Sequence, residues 1–133
     1  TADKYGLIVS PECHTGTYNN NTDAFLRIFD DFKKKCDADN FKTYFQSKYK
    51  NLSYDFDRIE RTLSEIEIVH ISYSEKIREQ LFSKKDSKYV ERLLQKLKES
   101  GYSKTILIEY TYFSMPFFLV KDVAKLKREA GEF

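Results

Sequence analysis

Two β-branched runs, Ile66 to Tyr73 and Thr105 to Tyr112, constrain the fold of this chain most. About thirty residues lie between them, and Tyr89, Val90, Leu93, Leu94 and Leu97 recur there on one helix face. A hairpin needs only a few connecting residues, whereas parallel neighbours need a crossover of a dozen or more. The pair therefore reads as β–α–β with a right-handed crossover. Gly101 stands where a left-handed helix cap belongs. The run from Thr105 is apolar on both faces, which predicts a central position in the sheet.

The remaining elements are read around this unit. Tyr5 to Ser10 predicts a first strand, and Phe25, Ile28, Phe29, Phe32 and Cys36 predict a helix that buries all five. Thr22 is placed to cap that helix, and Asp23 favours the positive end of its dipole. Phe41, Tyr44, Phe45 and Tyr49 continue at helical spacing, and a short helix carries Phe56, Ile59 and Leu63. Together these segments predict a helical insertion after the first strand. A helix through Ile77 and Leu81, a fourth strand over Phe117 to Val120 and a closing helix over Asp122 to Arg128 complete the order. The expected fold is one α/β domain over residues 1–133, a small, mostly parallel or mixed sheet flanked by helices.

Composition excludes some classes. Lys and Arg number 23 against 21 Asp and Glu, so binding through bulk positive charge is excluded while a local basic patch is not. No apolar run approaches the ~20 residues that cross a bilayer, so no membrane partner is expected. Two cysteines, Cys13 and Cys36, are too few for a disulfide framework, and a reducing, intracellular (cytoplasmic) setting is the expectation.

The chemistry-bearing residues concentrate between Ser10 and Thr22, a polar strand-to-helix connection of the kind in which α/β folds place ligands. Thr15, Gly16, Thr17 and Tyr18 offer hydroxyls and a close backbone approach for an anion at the helix start; the alternative is a solvent-facing connection that caps its helix. Cys13, His14, Cys36 and His70 lack the spacing of a structural zinc site. Glu109 interrupts an apolar strand, where an unpaired charge is costly. Metal-dependent nucleases place an acidic residue on such a strand with Lys two positions later, a position held here by Thr111; pairing with Lys or Arg is the other reading. Lys33 and Lys34, within a run of three lysines, form a basic cluster that tyrosines could complement in nucleic-acid contact.

Tyr5-Gly6-Leu7-Ile8-Val9 followed by Gly16-Thr17-Tyr18-Asn19 resembles the active-site strand and loop of FokI-like type IIS restriction endonuclease cleavage domains. Leu119 to Val123, continuing to Gly131-Glu132-Phe133, is similar to that family's final helix and tail. In the family the strand ends in an acidic residue, any residue, then Lys, which bind metal and position water. The matching positions are Ser10, Pro11 and Glu12, so the resemblance implies lost or relocated catalysis.

Two functional classes follow. The first is a nucleic-acid-associated domain binding DNA or RNA, a divergent or inactive nuclease. If active, it would use Mg or Mn on Asp3, Glu12 and Glu109, with Glu12, His14 and Glu109 as catalytic groups. The second is a protein-interaction module, an inhibitor, immunity protein or effector fragment, anchored by exposed Tyr and Phe such as Tyr18, Tyr49, Tyr54 and Phe113 to Phe118.

Overall fold

The computed structural model describes residues 2–12, 17, 21–36, 39–47, 51–71, 88–108, 120–121, 123–124, 126–128 and 131. Its elements are α1 (Thr22–Cys36), β1 (Thr43–Gln46), α2 (Leu52–Thr62), β2 (Ile66–Ile71), α3 (Tyr89–Glu99) and β3 (Thr105–Ile108). The three strands form one sheet in the order β1-β2-β3, with both pairings parallel. This is the small parallel α/β sheet expected from the β-branched runs, with the crossover through α3 as read.

Helix ends are set by local chemistry. Asn21 Oδ1 accepts from the Ala24 amide at 2.8 Å, so Asn21 caps α1. The expectation that Thr22 would cap is corrected: Thr22 is the first helical residue and is buried. Asn51 caps α2 in the same way, accepting from the Tyr54 amide at 3.1 Å. At the end of α3, Gly101 takes φ 81°, and the Tyr102 amide donates to the Leu97 carbonyl while that of Gly101 donates to Lys98. These are the two bonds of a Schellman motif, and the contact it brings, Tyr102 with Leu97, lies in the core.

Three sequence expectations are revised by the sheet. Phe41, Tyr44 and Phe45 belong to a strand region rather than to a helical insertion, for Thr43–Gln46 pairs with β2. An alternating burial of Thr43, Phe45 and Ser47 replaces the helical spacing, and i, i+3, i+4 coincidences among aromatics cannot separate the two. In the described sheet β2 is central rather than β3, and β3 alternates between exposed and half-buried positions. Tyr5 to Ser10 is not a continuous strand. Asp3–Tyr5 is a 3-10 turn closed by Gly6 at φ 64°, and only Val9 and Glu12 form parallel bridges, to Phe41 and Tyr44.

Pro11 explains the interruption. Val9 donates to the Asn40 carbonyl and accepts from the Lys42 amide, both at 2.9 Å. Continuing that register two residues on requires an amide at position 11, and proline has none. Residues 9–12 are thus a rudimentary strand outside β1 at the sheet edge.

The helices share one face. α1 packs on α2 and α2 on α3, and the core joins Ile59 of α2 and Leu93, Leu94 and Leu97 of α3 to Phe45, Val69 and Ile71 of the sheet. All five apolar positions read for α3 are buried. Register places Phe45, Val69 and Ile106 side by side on the helix face, and Gln46, His70 and Leu107 on the other. On that second face Tyr44 stacks on His70 with ring centres 4.5 Å apart. A second cluster, Phe25, Phe29 and Phe41, seats α1 at the edge. Val120, expected in a fourth strand, is helical, as are Lys121, Val123, Ala124, Leu126, Lys127 and Arg128. The predicted helix at Ile77 and Leu81 lies outside the described residues.

One set of polar groups inside this frame is joined around Asp55. Asp55, fully buried in the first turn of α2, accepts from the Tyr89 hydroxyl at the start of α3. Ser47, just after β1, lies 3.2 Å from the same carboxylate oxygen and 2.5 Å from Tyr89 Oη. Beneath it Arg58, 2% exposed, sits 5.2 Å over the Phe45 ring. At the opposite end of the sheet Glu65 accepts from Lys33 and Lys42, each at 3.1 Å. Burial pushes the Glu65 carboxyl up, but hydrogen bonds and charge from Lys42 and Lys33 outweigh it and hold the group below its ordinary value.

Two outcomes follow. Tyr89→Phe removes a donor from a buried carboxylate and should cost about 1–3 kcal/mol in urea unfolding, while Glu91→Gln on the exposed side should change little. Because the folded Glu65 carboxyl is depressed, its stabilisation is present above the ordinary value of 4.5 and lost as pH falls through the folded value. Glu65→Gln should therefore cost about 1 kcal/mol at neutral pH, a gap that closes in acid unfolding series.

Candidate functional site

The residues proposed for metal chemistry do not form a described centre. Asp3 is exposed in the N-terminal turn, and Glu12 is exposed where it bridges to Tyr44. Among the described residues no three His, Cys, Asp or Glu side chains are grouped so as to hold a metal ion. His14, Thr15, Gly16, Tyr18 and Glu109 lie outside the described residues, and Thr17 is exposed. Of the basic pair, Lys33 is held by Glu65 and also lies 4.7 Å over the Phe29 ring, whereas Lys34 is exposed. The lysine run is therefore split between a structural contact and solvent. Of the aromatics proposed as anchors, Tyr54 is half-buried, and the others lie outside the described residues.

The sheet edge carries what those residues lack. Tyr5, Leu7, Ile8 and Val9 are 70%, 58%, 51% and 43% exposed, and Ile28 and Phe32 of α1 are 40% each. The two segments meet for a geometric reason. Val9 pairs with Phe41, and Phe41 is stacked by Phe32 at 4.2 Å between ring centres. Residues directly opposite in a pairing point to one face, so Val9 lies with Phe41 on the α1 side. Asp23 and Lys33 mark the flank of α1 that meets α2 and Glu65, at 2.6 Å to Arg61 and 3.1 Å to Glu65. By helical geometry Ile28 and Phe32 fall on the opposite flank, above the outer edge.

The edge also presents main-chain groups. Val9 turns its amide and carbonyl to β1, so Ile8 and Ser10 turn theirs outward. Side chains and backbone thus offer both contacts by which a further element can be added to a sheet. Sequence reasoning read Leu7, Ile8 and Val9 as part of a first strand and the five apolar residues of α1 as its buried face. Phe25 and Phe29 are buried, but Cys36 is exposed, a correction that follows from its place in the last turn, beyond the reach of Phe41. The available signal was Pro11, which stops the first run from pairing as a full strand, together with an apolar arc on α1 wider than one strand edge can cover.

No protein-family model matches the chain, and no curated protein matches its sequence. No helix among the described residues is long and apolar enough to cross a membrane.

A patch facing solvent tolerates polarity. Leu7→Lys should leave the unfolding midpoint nearly unchanged, within about 0.5 kcal/mol, whereas Phe41→Ala beneath it should cost about 3 kcal/mol or more.

Proposed function

We propose that this domain is a protein-interaction module that binds through the outer sheet edge and the adjoining flank of α1. The observation that carries the reading is the exposure of six large apolar side chains, Tyr5, Leu7, Ile8, Val9, Ile28 and Phe32, on the edge segment and on α1, which meet where Val9 and Phe32 both adjoin Phe41. Large apolar side chains grouped on a surface mark contact with another macromolecule. The surroundings favour a protein over a nucleic acid. α1 exposes Asp30 and Asp31 beside Lys34 and Lys35, so no single-sign field faces a phosphate backbone.

The resemblance to FokI-like cleavage domains supports a second reading, a nuclease relative without the family's catalytic pair. It has one structural support: residues 9–12 run parallel at a sheet edge ahead of α1, the strand–loop–helix order that the resemblance implies. Ser10, Pro11 and Glu12 stand where that family requires acid and lysine, so this reading too puts binding ahead of catalysis.

An apolar dye and plasmid DNA separate the two. At dilute protein concentration the native chain should enhance the dye's fluorescence, and Leu7→Lys with Ile28→Lys should remove most of that signal without shifting the unfolding midpoint. Incubation with plasmid and Mg²⁺ or Mn²⁺ should leave the DNA intact, and filter binding should show no steep dependence on salt. Cleavage, or affinity for DNA falling steeply with salt, would overturn the interaction reading in favour of nucleic acid.

A further inference from the structure

The groove between α2 and α3 holds charges that the fold does not use. A surface cavity of about 350 Å³ lies there, lined by Leu52, Ser53, Phe56, Asp57 and Glu60 of α2 and by Arg92 of α3. The two helices run in the same direction, because each returns the chain between parallel strands. Toward their ends they are bridged: Lys96 Nζ donates to Glu60 and lies 5.6 Å over the Phe56 ring. One turn nearer the helix starts, Asp57 and Arg92 hold the corresponding places, and no ion pair joins them. Asp57 lies 3.5 Å from Arg61 of its own helix, and Arg61 makes its shorter bond, 2.6 Å, to Asp23 of α1. The Arg92 guanidinium enters no ion pair among the described residues. Where the bridge fails the cavity opens, and Leu52 and Phe56, both half-buried, give it an apolar lining.

We infer that this groove binds a free α-amino acid with an apolar side chain. The site is separate from the outer sheet edge and does not rest on the interaction reading. An α-amino acid carries an ammonium and a carboxylate on one carbon, so it can bridge Asp57 and Arg92 where their own side chains do not meet. The planar guanidinium of Arg92 takes a carboxylate through two parallel hydrogen bonds. The Ser53 hydroxyl, exposed one turn before Asp57, adds a further donor. An ammonium on Asp57 repeats the arrangement at Glu60, where the Lys96 ammonium sits between a carboxylate and the Phe56 ring. The ligand's side chain then lies against Leu52 and Phe56. A simple anion would meet like charge at Asp57 and a simple cation would meet it at Arg92; a zwitterion satisfies both. The cavity is at the small end of ligand sites, which span about 300–1,000 Å³, and suits a molecule of about a dozen heavy atoms.

Titration of the full chain with L-phenylalanine and with L-leucine, followed by heteronuclear NMR, tests this. The amides of Ser53, Phe56, Asp57 and Arg92 should shift saturably, with a dissociation constant of about 1 mM for so small a ligand on an open site. Those of Leu7, Ile8, Val9 and Ile28 should not move. Phenethylamine and phenylpropionate, each with one of the two charges, should bind about tenfold more weakly or worse. Arg92→Gln should weaken phenylalanine binding about tenfold without weakening that of phenethylamine, and Asp57→Asn should do the same with respect to phenylpropionate. A merely structural role for either side chain would not produce that crossed pattern. No saturable shift by about 10 mM ligand, single-charge analogues that bind as well as the amino acid, or variants that bind it like wild type would each overturn the proposal. The dye signal at the outer edge is independent of all three results, so the interaction reading stands or falls by its own test.

Discussion

The fold turns on one buried carboxylate. Asp55 has no exposure and sits in the first turn of α2, where the helix dipole favours a negative charge. Through Tyr89 and Ser47 it ties α2 to the end of β1, its neighbour in sequence, and to the start of α3, far along the chain. Apolar packing would let α2 and α3 slide along the sheet, since Leu and Ile contacts carry little directional preference. Hydrogen bonds to a desolvated polar group do not permit that freedom, because each one lost leaves a polar atom unsatisfied. The opposite end of the sheet is pinned by Glu65 between Lys33 and Lys42, which fixes α1 and the start of β1 against β2. The two polar ties set where the helices lie, and the apolar core fills the space between.

What sequence revealed and what it hid divides along physical lines. α3 was legible because a single stripe, Tyr89 to Leu97, faces one core, and Gly101 ends it with a cap that only a positive φ permits. β2 and the parallel crossover were legible from β-branched residues and connection length. Thr43–Gln46 was not, because a four-residue strand flanked by aromatics offers too few periods to distinguish 2.0 from 3.6. The standing of β3 was misread for a different reason. Apolarity on both faces signals a buried strand only when neighbours lie on both sides, and in the described sheet β3 has β2 on one side. The polar connection before α1 drew the functional expectation, while the apolar residues on either side of it, read as a strand and as a buried helix face, make the surface.

Pro11 links these observations. Were an amide present there, residues 7–12 would extend the ladder on β1, and the edge would simply move outward by one full strand. Without it the pairing breaks after Val9, resumes at Glu12, and leaves a short, irregular edge. Such an edge is a poor template for indiscriminate strand addition, which natural sheets resist by shortness, irregularity and proline. Its side chains Leu7 and Val9 are still exposed, as are Ile28 and Phe32 of α1. The edge is therefore apolar in its side chains and too broken in its backbone to pair with any passing strand.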